Sequence, residues 1–77
     1  MTQHCDLELD LSGLTCPMPL LKTKQALNKM APGRIVKVLA TDPASERDFK
    51  VFSEQSGVRL LSSEKKADKF IYWLQKP

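Results

Sequence analysis

The run Asp10-Leu11-Ser12-Gly13-Leu14-Thr15-Cys16-Pro17-Met18-Pro19-Leu20-Leu21 joins an alternating apolar segment to a helical one and places a thiol at the junction. Proline is tolerated in a first helical turn, where its missing N–H would have had no intrahelical partner and its ring fixes φ near the helical value. Pro17 and Pro19 therefore mark a helix start, Gly13 permits the turn before it, and Cys16 is predicted to be the helix N-cap. An N-cap thiol would face unpaired amides and the positive end of the helix dipole, which favour thiolate and lower the pKa.

Upstream, residues 5–11 alternate, with Cys5, Leu7, Leu9 and Leu11 on one side and Asp6, Glu8 and Asp10 on the other. This is the period of a half-buried strand, with Cys5 as a small apolar residue of its inner side. Downstream, a helix is predicted over 17–30, with Leu20, Thr23, Leu27 and Met30 facing the sheet and Met18, Lys22, Gln25 and Lys29 facing away. Pro32 and Gly33 end it. Residues 34–40 are mostly apolar and β-branched, the pattern of a central, mostly buried strand.

A strand, a helix and a strand in succession form a βαβ unit with parallel strands and a right-handed crossover. Parallel strands end on the same edge, and the carboxyl ends of strands in open sheets are where sites form. Cys16 should accordingly lie near residues 41–45. A second helix is predicted from Pro43 or Ser45 to Gln55, capped by Asp42 or Ser45, with Phe49 and Phe52 inward and Gly57 at its end. Residues 58–63 and 69–75 then read as an antiparallel hairpin around the polar turn 64–68. The predicted fold is α/β, a two-layer sandwich of order βαβαββ, with both helices on one face of a four-stranded mixed sheet and residues 1–77 as a single domain.

Composition narrows the class. At 77 residues, with 42% hydrophobic and 27% charged residues, the chain suits one small globular domain that buries roughly 60% of its unfolded surface. Two cysteines are too few for a disulfide framework, and no Cys/His spacing suggests a zinc site, so neither a metal nor a cofactor is expected. Cys5 and Cys16 sit at opposite ends of a strand, which argues against their pairing. There is no signal-peptide pattern at the N-terminus and no apolar run of membrane-spanning length; a cytoplasmic protein without membrane attachment is expected. The net charge of +3 is mild and interspersed with acids.

The remaining chemistry centres on Cys16. Hydrolysis requires a positioned base, and His4, the sole histidine, precedes the first strand. Dithiol redox chemistry requires a second cysteine where Pro19 stands. What is left is a thiol that carries a group, most simply sulfur as a persulfide, loaded and unloaded by other proteins. Asp42, Arg47 and Asp48 should border it and help dock partners, with Arg47 supporting a sulfur anion. Met18 and Lys22 extend the candidate docking surface, Met18 with Leu14 and Leu21 as an apolar collar and Lys22 with Lys29 as steering charges for acidic partners.

The segment from Leu9 to Pro19, with Cys16-Pro17-x-Pro19 opening a helix, together with Pro32-Gly33, Asp42-Pro43-Ala44 and Arg47-Asp48, resembles the TusA/SirA-like family of small sulfur-carrier proteins over nearly the whole chain. The resemblance implies that Cys16 takes sulfane sulfur from a cysteine desulfurase or rhodanese-type donor and passes it to an acceptor protein, on routes such as tRNA thiolation or molybdenum-cofactor enzymes. The reading is of a carrier more than an enzyme, and a monomer with no direct nucleic-acid contact is expected. A non-catalytic RNA- or protein-binding regulatory module is the alternative, with its lysines as footprint.

Overall fold

The computed structural model describes residues 5–77. The element order is β1 (Leu7–Leu11), α1 (Met18–Asn28), β2 (Ile35–Ala40), α2 (Ser45–Ser56), β3 (Arg59–Lys66) and β4 (Lys69–Gln75). The strands form one sheet in the order β1-β2-β4-β3. β1 and β2 are parallel, with Leu7 opposite Val36 and Leu11 opposite Ala40. β4 pairs antiparallel with both β2 and β3, so β2 and β4 are central and β1 and β3 are edges.

Registers show why these sequences lie as they do. Leu7, Leu9 and Leu11 share a face with Val36, Val38 and Ala40, and these with Leu74, Tyr72 and Phe70. The six residues from β2 and β4 are all buried, and with Leu11, Leu27, Phe49 and Val58 they make the core. The two helices cover that face, as the alternation in β1 and the inward residues Thr23, Leu27 and Phe49 require. Thr23 is fully buried because its hydroxyl donates to the Pro19 carbonyl at 2.8 Å, satisfying it within the helix. Leu20, Met30 and Phe52 are half-buried against the same core.

The strand over residues 34–40 was expected to be mostly buried; it alternates instead. Ile35, Lys37 and Leu39 stay half-exposed because, among the described residues, no helix covers the second face of the sheet. There the Lys37 ammonium lies 5.3 Å from the centre of the Trp73 ring, a cation–π contact across the β2–β4 pair. β1 begins at Leu7, leaving Cys5 half-buried and outside the strand, and both cysteines are free thiols.

The hairpin is tighter than the polar run suggests. Glu64, Lys65 and Lys66 continue β3, and only Ala67 and Asp68 turn the chain, Ala67 with φ 54°. β3 is an edge strand whose last four residues are all exposed, so charged side chains are accommodated in solvent without ending the ladder. A bulge between Leu60 and Ser62 shifts the register.

Candidate functional site

The pairing of Leu11 with Ala40 ends β1 and β2 level with each other, so residues 12–17 and 41–44 leave the sheet from one edge. Gly13, with φ 84°, turns the chain there, in the left-handed region where glycine is nearly strain-free. Its N–H donates to Thr41 Oγ1 at 2.8 Å, which fastens the first loop to the second. The Ser12 N–H donates to Asp10 Oδ1 at 3.1 Å; bonding to Ser12 holds the Asp10 carboxyl below its ordinary pKa.

Cys16 is not the helix N-cap. The Leu21 N–H donates to the Pro17 carbonyl at 3.0 Å, the first intrahelical bond of α1, and Pro17 occupies the cap with no side-chain hydrogen bond. The Met18 N–H donates instead to the Thr15 carbonyl, and the Cys16–Pro17 peptide is cis. Pro19 is buried in the first turn of α1. The second helix differs in the same way: Ala44 is the cap of α2, while Asp42 accepts from the Ala44 N–H at 3.3 Å and Ser45, predicted as a cap, is buried with its Oγ 2.7 Å from the Tyr72 hydroxyl.

With the cap position lost, the surroundings of the thiol are set by carboxylates. The Cys16 N–H donates to Asp42 Oδ2 at 2.7 Å. The Cys16 Sγ–H donates to Asp48 Oδ2 at 2.9 Å, across 32 residues of sequence. A carboxylate accepting from the thiol favours the protonated form, so the Cys16 pKa is raised, first by that hydrogen bond, then by desolvation and by the charges of Asp48 and Asp42; Arg47 opposes them. The direction is opposite to the one a helix N-cap would impose.

Asp42 and Asp48 therefore meet Cys16 directly. Arg47 acts on it only through its charge, and with Asp48 it lines a groove between α1 and α2 beside Lys24 and Phe52. Met18 and Leu21 are exposed on the first turn of α1. Lys22 is elsewhere: with Lys29 and Arg34 it borders a cleft between α1 and the start of β1 that does not include the thiol. His4, considered above as a base, lies outside the described residues. Among the described residues, no group of three or more His, Cys, Asp and Glu side chains is placed to hold a metal ion, and no helix is long and apolar enough to cross a membrane.

A two-layer α/β domain with an exposed thiol at the carboxyl edge of a parallel strand pair, bonded to two carboxylates, defines a thiol protein with neither a resident histidine base among its described residues nor a second cysteine beside the first. The family model for sulfurtransferase TusA matches residues 7–76, and the chain belongs to that family. It is 45% identical over 71 residues to the sulfur carrier protein TusA of Allochromatium vinosum, covering 92% of this chain and 93% of that one. To the sulfur carrier protein TusA of Pseudomonas aeruginosa it is 37% identical over 76 residues, covering 99% and 96%. A crystal structure of a SirA-like protein from Desulfitobacterium hafniense superposes with a TM-score of 0.78 over 90% of this chain and 95% of that one, at 24% identity, and shares the fold.

Proposed function

We propose that this protein is a sulfur carrier whose Cys16 accepts sulfane sulfur as a persulfide and hands it to an acceptor. The supporting observation is the exposed Cys16 thiol, held by hydrogen bonds from both its backbone and its sulfur to carboxylates of the neighbouring loop and helix. In the loading step the Cys16 sulfur attacks the terminal sulfur of a donor persulfide. A sulfur–sulfur bond forms to Cys16, the donor's breaks, and the electron pair leaves with the donor sulfur as a thiolate, so no external oxidant is consumed. Release is the same exchange with Cys16 as the leaving sulfur. Donors of the cysteine desulfurase or rhodanese type supply such a persulfide, and an acceptor protein with a nucleophilic thiol removes it. Gly13 and Pro17 shape the loop that presents the sulfur, and Pro19 is buried in the helical turn that follows it; Met18 lies on the exposed surface next to it. The setting is the cytoplasm, where thiols stay reduced.

The test is an intact-mass measurement after incubation with a cysteine desulfurase and cysteine. Gain of one sulfur, lost on reduction, absent in Cys16→Ser and retained in Cys5→Ser, is expected. Absence of any adduct from desulfurase and rhodanese-type donors alike would rule the carrier out.

A further inference from the structure

Resting on the carrier reading, we infer that Asp48 gates Cys16: in the free protein its carboxylate keeps the sulfur in the hydrogen-bonded thiol form, and sulfur transfer requires that this carboxylate be displaced or neutralised. The geometry carries the inference. Oδ2 of Asp48 is 2.9 Å from Sγ, and Asp48 projects from the first turn of α2, a helix anchored by the buried Phe49 next to it in sequence. Its position is thus set by the core, while the sulfur it holds is open to solvent. The charges bearing on the thiol come from both neighbouring elements: Asp48 and Arg47 on α2, and Asp42 in the loop before it, whose carboxylate is already committed to the Cys16 N–H. α1 brings no acidic residue in its first turn.

The chemical consequence follows from the loading reaction, Cys16–SH plus donor–S–SH giving Cys16–S–SH plus donor–SH. The nucleophile is the thiolate, so the thiol proton must leave as the new bond forms, and the departing donor sulfur is the group that gains a proton. Asp48 opposes the first of these events as long as it faces Sγ. A carrier built this way is slow toward small electrophiles and is released at contact with a partner that draws the carboxylate away.

The experiment is the pH dependence of Cys16 alkylation by iodoacetamide in the full chain, followed by mass spectrometry of the Cys16 peptide, for wild type, Asp48→Asn, Asp48→Ala, Asp48→Glu and Glu46→Gln. Both neutral variants at position 48 are expected to move the profile to lower pH and to speed alkylation at neutral pH by roughly tenfold, the effect of removing one unit charge about 3 Å away in a water-like medium. Asp48→Glu should restore part of the slow rate, and Glu46→Gln, an acid of the same helical turn, should leave the profile unchanged. An unchanged or slower profile in the neutral variants overturns the gate. If those variants lose their fold, the wild type decides: a native profile lying at or below that of the urea-unfolded chain overturns it as well. Alkylation needs no sulfur donor, so the gate can fail while the mass-gain assay succeeds, and the reverse.

Discussion

A thiol that donates to a carboxylate behaves differently from one that caps a helix, and the difference has a sign in stability as well as in reactivity. The folded state raises the Cys16 pKa, so it binds the thiol proton more tightly than the unfolded chain does. The stabilisation linked to this proton is fully present below the unfolded pKa of a cysteine and is lost as pH climbs through the folded value. Cys16→Ser replaces the thiol by a hydroxyl that can still donate to Asp48 and does not titrate in this range. The melting temperature of the wild type should therefore fall relative to that of Cys16→Ser as pH is raised from 7 to 10. Alkaline ionisation of Tyr72, whose pKa burial pushes up, is common to both chains and cancels in the comparison. A gap between the two chains that stays constant with pH would show that Asp48 exerts no protonation-dependent hold on the sulfur.

At the level of elements, the parallel β1–β2 pair and α2 bring the site together, and α2 is fixed at its start by a polar contact within the core. Ser45 and Tyr72 are both about 1% exposed and share a 2.7 Å hydrogen bond between the first residue of the helix and the central strand beneath it. Removing one partner leaves the other buried and unsatisfied, at a cost of about 1–3 kcal/mol, whereas removing both can be nearly neutral. Tyr72→Phe should thus destabilise by about that amount, and adding Ser45→Ala should cost less than the two single changes summed, as read from urea melts in a double-mutant cycle. Much of this arrangement is legible in the sequence: the alternation of residues 5–11, the two proline-marked helix starts and the parallel rule are enough to bring Cys16 to Asp42 and Asp48. The caps are not legible, because proline satisfies the first turn at either Cys16 or Pro17 as cap, and which one holds depends on the turn that the Met18 N–H makes to Thr15. The sign of the thiol's perturbation hangs on that one-residue difference. The hairpin turn is hidden for another reason: on an exposed edge, polar residues such as Glu64 and Lys65 are equally at home in strand and loop.

Among the described residues the sheet has one face covered by helices and one open, so stability rests on a thin core within a 77-residue chain. Domains of this kind are stable by about 5–15 kcal/mol, and one large core side chain is a substantial part of that. Phe49 is fully buried, with its ring centre 4.6 Å from that of Tyr72, which in turn lies 6.4 Å from Phe70. It is also the neighbour of Asp48, so the packing that holds α2 to the sheet holds the carboxylate to the sulfur. Phe49→Ala should lower the unfolding free energy by about 3–5 kcal/mol, seen as a drop in the urea midpoint. Iodoacetamide should then reach Cys16 in native buffer at a rate approaching that of the unfolded chain. Leu61→Ala, at the β3 bulge where the side chain is 38% exposed, should shift the midpoint by no more than about 0.5 kcal/mol and leave the alkylation rate as it is. Should Phe49→Ala lose stability yet keep Cys16 as slow to alkylate as in the wild type under conditions where it remains folded, the thiol's hold would be local to its loops and independent of the core.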